Sequence, residues 1–159
     1  GHRVDRLEIG AMDFPLIRSV RDFQGSPIPA DMKAAQELVQ RAEHLVIVFP
    51  IWFGGPPAFL KAFFEQLLRK GFALSSPQAA LMSLLAGKSV RVVVTMGAPL
   101  PIFRLVLGGH GVASFVKGLL WATGAGPVRQ TLFGRAHLED PARKARWLAK
   151  VRALGARAA

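Results

Sequence analysis

The residues able to do chemistry in this sequence do not form a catalytic set. There is no cysteine, the four histidines are dispersed, and Glu65 and Glu139 each sit alone among basic neighbours. No Ser–His–Asp arrangement, metal-ligand spacing or paired carboxylates can be assembled. What stands out is Ile51-Trp52-Phe53-Gly54-Gly55, two aromatics followed by two glycines. A loop of this kind offers backbone N–H groups beside flat side chains, which suits a planar, hydrogen-bonding ring system. The alternative is that Trp52 and Phe53 pack beneath the next helix, as clustered aromatics commonly do. Among the histidines, His110 is singled out by its glycine-rich turn, Gly108-Gly109-His110-Gly111; a plain loop histidine is the competing reading. His2, His44 and His137 read as solvent-facing or structural.

These residues need elements to position them. Leu45–Phe49 is an apolar run without polar alternation, the habit of a strand buried on both faces in a parallel sheet. Pro50 ends it, and Pro56 and Pro57 pre-set the first turn of a helix. That helix carries Phe59, Leu60, Phe63, Phe64, Leu67 and Leu68 on one stripe, with Lys61, Glu65, Gln66 and Arg69 on the other. Lys70 and Gly71 suit its C-terminal end. The aromatic–glycine loop therefore lies at the carboxyl end of a strand, where open α/β sheets bind ligands. Val90–Met96 is a second buried-strand run, and its carboxyl-end loop opens with Thr95-Met96-Gly97.

Elsewhere, His2–Ile9 alternates like a short strand, a loop punctuated by Gly25, Pro27 and Pro29 follows, and a helix is expected from about Pro29 to Ala42. Ser75–Ala86 mixes turn and apolar residues, an excursion over the ligand side. Phe103–Leu107 and Val112–Leu120 read as helical, and Val128–Phe133 as a last strand. Asp140-Pro141 opens a C-terminal helix with Trp147, Leu148, Val151 and Leu154 inward. Strand and helix alternate, which predicts a doubly wound α/β sheet in one domain.

At 159 residues, 51% hydrophobic and 19% charged, the chain suits a globular domain rather than a disordered one. Its formal charge of +11 raises nucleic acid or an anionic membrane as partners. The basic residues are scattered, however, with one concentration on the C-terminal helix, and lack interleaved aromatics or a DNA-binding motif. A solvated basic face is the better reading. The longest uncharged stretches, Leu45–Leu60 and Phe72–Gly87, are short for a membrane span and broken by proline and glycine. With no visible signal peptide, a cytoplasmic location is expected.

The string FPIWFGGPPAFLKAFFEQLLRKGFAL resembles the signature of the flavodoxin-like NAD(P)H:quinone oxidoreductases, the relatives of quinone reductase and modulator of drug activity B. Pro50, Gly55, Pro57, Ala58, Leu60, Lys61, Gly71, Phe72 and Ala73 carry the match. The resemblance implies a three-layer α/β/α fold with strand order 2-1-3-4-5. It implies FMN or FAD lying along Pro50, Ile51, Trp52, Phe53 and Gly54, with Thr95, Met96 and Gly97 at the polar edge of the ring. His110 falls where relatives carry a histidine near that edge, whereas Phe103 takes the place of their tyrosine. NAD(P)H as co-substrate, a quinone-like acceptor and a homodimer follow from the same source. The alternative within the family is a non-catalytic ancillary subunit docking a membrane transport partner. Relatives open with a strand, phosphate loop and helix of roughly 30 residues, and this sequence is expected to lack that unit.

Overall fold

The computed structural model describes residues 1–69 and 85–158. The excursion expected at Ser75–Ala86 and the helix end at Lys70–Gly71 lie largely outside the described residues. Three parallel strands, β1 (His44–Pro50), β2 (Ser89–Thr95) and β3 (Val128–Phe133), form one sheet in the order β1-β2-β3. The first two are adjacent, with His44 opposite Ser89 and Pro50 opposite Thr95; Val90 stands opposite Val128 in the second pair. The helices are α1 (Val20–Gly25), α2 (Ala30–Arg41), α3 (Ala58–Leu67), α4 (His110–Ala113) and α5 (Pro141–Gly155). A π-helical turn, Ile102–Val106, precedes α4, and a longer one, Ser114–Leu120, continues it.

The core occupies one face of the sheet. Phe49, Val90, Val92 and Val94 are buried there against α2, α3 and the Ser114–Leu120 stretch. Aromatic edges lock this side: Phe115 meets Phe49 and Phe64 with centroids 5.2 and 5.3 Å apart. Edge-to-face pairs of this kind add about 0.5–1.5 kcal/mol beyond their burial. Pro57 precedes the first residue of α3, where the missing N–H costs nothing. At α5, the Asp140 carboxylate accepts from the Arg143 N–H at 2.8 Å, a cap typically worth about 1 kcal/mol.

Four sequence expectations are corrected. First, no strand forms at His2–Ile9; only a 3-10 turn, Ile9–Ala11, closes that segment, and Val4 is exposed. A strand needs a ladder partner, and among the described residues none lies beside His2–Ile9: β1 pairs with β2 alone. Second, β1 is buried on one face only: Val46 and Val48, on the opposite side from Phe49, are 54% and 66% exposed. Third, Gln66 and Arg69 are buried rather than solvent-facing. Residues 13–29 fold across α3, so Gln66 donates to Pro15 O while Arg69 donates to Phe23 O, Ser26 O and Gln66 Oε1. A guanidinium with several carbonyl acceptors can be buried where an unpaired one cannot. Fourth, Leu148 points outward at 68% exposure, because α5 turns the stripe of Arg143, Trp147, Val151 and Leu154 toward the sheet instead.

Candidate functional site

At the carboxyl end of β1 the chain makes a tight reversal. Trp52 N–H donates to Gly55 O at 3.0 Å, and Gly55 N–H donates back to Trp52 O at 3.1 Å. The central residues Phe53 and Gly54 have φ of 48° and 83°, so both sit in the left-handed region that a type I′ turn requires. Glycine tolerates this; a phenylalanine is strained there by about 1–2 kcal/mol. Yet Phe53 is fully exposed and Trp52 is 62% exposed. These aromatics do not pack beneath α3. The fold holds them out, at a cost, on a frame anchored by half-buried Pro50 and Ile51.

The second loop is tied directly to the first. Ile51 N–H donates to Thr95 O at 2.8 Å, extending the β1–β2 ladder beyond Pro50. Met96 is buried and fixed by its N–H to Phe133 O at 2.9 Å, while Thr95 is half-buried. At Gly97 a Cβ would meet nothing nearer than His137 Nδ1, at 3.6 Å. Among the described residues, the N–H groups of Phe53, Gly54 and Gly97 take no backbone acceptor.

The third segment is brought in by a glycine. A Cβ at Gly111 would lie 1.8 Å from Gly54 O and 2.7 Å from Gly55 Cα, so only glycine permits this backbone contact between α4 and the aromatic turn. His110 is exposed, and its ring folds back over Gly108, whose φ is +63°. Phe103 is buried behind Gly109. The structure thus brings together Ile51–Gly54, Thr95–Gly97 and the segment bearing His110.

Sequence reasoning passed over a fourth segment, Gly134–Leu138. Ala136 N–H donates to Met96 O at 2.9 Å and Arg135 N–H to Ala98 O at 3.2 Å, lacing it to the Thr95–Gly97 loop. Its position past the carboxyl end of β3 was the available signal. His44 stands at the opposite, amino end of the sheet, its Nδ1 2.7 Å from Ser89 Oγ. Burial, then Arg91, Arg129 and His2, holds its imidazole below the ordinary histidine range. Among the described residues no group of His, Asp or Glu side chains comes together in a way that could hold a metal ion.

A parallel sheet with helices packed on it and aromatic- and glycine-bearing loops at its carboxyl end defines an α/β protein of doubly wound type. The chain belongs to the family of flavodoxin-like fold, whose pattern it matches over residues 1–157. It is similar to an uncharacterized NAD(P)H oxidoreductase of Haemophilus influenzae, at 29% identity over 84% of this chain and 69% of that protein. It is 36% identical, over 60% of its length, to an FMN-dependent NADH:quinone oxidoreductase of Jannaschia, of which it spans about half, 49%. A Streptococcus mutans protein of known crystal structure superposes with a TM-score of 0.66 at 29% identity, over 82% of this chain and 67% of that one.

Proposed function

We propose that this chain is the ring-binding part of a flavin-dependent NAD(P)H:quinone oxidoreductase. The observation that carries the reading is the convergence of three carboxyl-end segments, sealed by the Ile51–Thr95 hydrogen bond and by Gly111 seated on Gly54. The names of the Haemophilus and Jannaschia relatives supply NAD(P)H, FMN and quinone. The residues fit such a ring. Exposed Trp52 and Phe53 offer flat apolar surface, and Phe53, Gly54 and Gly97 offer uncommitted N–H donors.

When bound, the flavin supplies hydride acceptance from NAD(P)H and two-electron delivery to the quinone. Pro50, Ile51, Trp52, Phe53 and Gly54 orient the ring and keep water from one side of it. Thr95, Met96 and Gly97 form the polar edge: buried Met96 anchors the loop, and Gly97 admits close approach. His110, on the segment that Gly111 seats against the aromatic turn, would be the catalytic candidate, its imidazole N–H a donor toward the bound ring. Phe103 brings no hydroxyl, so that position adds no second donor.

The Pro50-to-Gly97 frame would hold the ring; the chain spans 69% of the Haemophilus relative and 49% of the Jannaschia one. A homodimer is part of the same reading, and exposed Leu105, Val106 and Leu107, with Leu105 at 84%, support a partner surface there. A cytoplasmic location, where NAD(P)H is supplied, is part of the same reading.

The test is to titrate FMN and FAD into the protein, with and without about 30 residues of strand–loop–helix type ahead of Gly1, and to follow flavin fluorescence and NAD(P)H oxidation by a quinone. Flavin uptake by the extended form, weakened at least about tenfold by Trp52→Ala, is expected. Uptake by neither form would overturn the reading.

A further inference from the structure

Away from the aromatic turn, β3 presents an open edge. Val90 N–H donates to Pro127 O and Met96 N–H to Phe133 O, both at 2.9 Å, and Val90 stands opposite Val128. A parallel strand bonds its neighbour through alternate residues, so the backbone groups of Arg129, Thr131 and Phe133 face β2. The N–H and C=O groups of Val128, Gln130 and Leu132 therefore point away from the sheet. Among the described residues no strand lies on that side, and none of these groups takes a backbone partner there. An unpaired edge of this kind is a template for another extended chain.

The edge borders a groove of about 170 Å³, between β3 and the helical stretch that runs from α4 to Leu120. Buried Val112 and Val116 give it an apolar floor, with exposed Trp121 on one side and Gln130 and Leu132 on the other. Gln130 and Leu132 lie opposite Val92 and Val94, so their side chains share the core face of the sheet. A strand added to the edge would drop alternate side chains into this groove and hold the others beside Arg129, on the opposite face. Charge decides what kind of chain fits. Arg104 and Lys117 line the groove and are exposed, and Arg129 is exposed along the edge. Among the described residues none of these three cations enters an ion pair, and no carboxylate lines the groove. A second copy would bring basic edge against basic edge, at a net charge of +11 per chain, and like charges set opposite each other across strands are destabilising.

We infer that the outer edge of β3 is a docking site for an extended acidic segment of a partner protein, which adds a strand to the sheet, lodges an aliphatic side chain in the groove and sets carboxylates on Arg104, Lys117 and Arg129. Backbone pairing supplies the affinity, and the groove selects among the alternate side chains. The three cations select the sign of the partner and speed the encounter. The inference goes beyond the flavin reading and does not need it, because the edge uses none of the residues given to the ring.

The probe is a fluorescein-labelled peptide of alternating glutamate and valine, about six residues long, the usual length of a strand. It is titrated by fluorescence anisotropy against its lysine–valine counterpart. The acidic peptide is expected to bind with a dissociation constant of about 1 mM or tighter, weakening as salt is raised through about 0.1 M. The basic peptide should bind at least about tenfold more weakly. Methylating alternate amides of the acidic peptide keeps every charge and removes ladder donors; one of the two alternations should cost at least about tenfold. Gln130→Pro removes an outward N–H that β2 does not use, a position where an edge strand accepts proline. It should cost a similar factor at an unchanged circular dichroism spectrum, and the methylated peptides test the same bonds in the unaltered protein. No binding, equal binding of the acidic and basic peptides, or full affinity in both methylated forms overturns the inference. Self-association of the free chain that Gln130→Pro abolishes would also overturn it, by making a second copy the occupant.

Discussion

The two faces of the sheet are built to different standards. Toward α2, α3 and the Ser114–Leu120 stretch, Phe49, Val90, Val92 and Val94 are buried, and Phe63, Phe64 and Phe115 interlock over them. The other face carries Val46, Val48, Arg91, Val93, Arg129 and Thr131 on the same registers. Arg91 bonds Thr131 Oγ1 at 2.8 Å; Val93 and Thr131 are buried, but the two β1 valines stand open and α5 buries no residue fully. The difference shows where rigidity is invested. The candidate site hangs from the close-packed face, through Phe49, Met96 and α3. The open face is the more loosely packed of the two.

This comparison can be broken at several levels. The largest effect is expected from Phe64→Ala, which removes a ring held by Phe63 and Phe115 and should cost about 3–5 kcal/mol by urea denaturation. On the other side, Leu148→Ala should stay within about 0.5 kcal/mol. Similar losses at both would mean the faces are equally packed. Next comes Gly111→Ala. The added methyl meets backbone at Gly54 rather than a yielding side chain, an overpacking cost of about 1–3 kcal/mol, and flavin affinity should fall with it. Stability loss without a change in flavin affinity would separate α4 from the site.

A smaller effect, of opposite sign, is expected at Phe53→Gly. It removes a left-handed penalty of about 1–2 kcal/mol and adds an unfolded-state entropy cost of about 0.5–1 kcal/mol. The melting temperature should hold or rise slightly while flavin binding weakens. A marked drop in melting temperature would make the turn a packing element. Val48→Thr sharpens the contrast further. It should be nearly neutral, within about 0.5 kcal/mol; a clear loss would show that this face is covered.

The smallest expectation is a pH effect at His44, on the amino end of the open face. Its folded-state pKa lies below its unfolded value, through burial and then Arg91, Arg129 and His2. The unfolded chain therefore takes up the proton first as pH falls. Stability is full above about pH 6.5, the unfolded value, and declines as pH drops through the depressed folded value. His44→Gln should flatten that decline in a melting-temperature series from pH 7.5 to about 5; an unchanged slope would assign it to other groups.

The three strands, α3 and the aromatic turn were legible in the sequence because each rests on local pattern; the order of the strands came from the family resemblance. Leu45–Phe49 and Val90–Met96 are apolar without interruption, Pro56-Pro57 marks a helix start, and paired glycines mark a reversal. The errors fell where burial depends on a partner distant in sequence. Gln66 and Arg69 lie on the polar stripe of α3 by spacing, but they turn inward because residues 13–29 bring carbonyls to them. His2–Ile9 has the alternation of a strand and no ladder to join. Val46 and Val48 belong to a run that reads as doubly buried, yet only one face is covered. Phe53 could have been core or ligand surface. The left-handed backbone at Phe53 and Gly54 and the seat of Gly111 on Gly54 leave Phe53 exposed rather than core. Hydrophobic period states which face of an element is apolar; whether anything lies against that face is a long-range fact, which only the assembled chain contains.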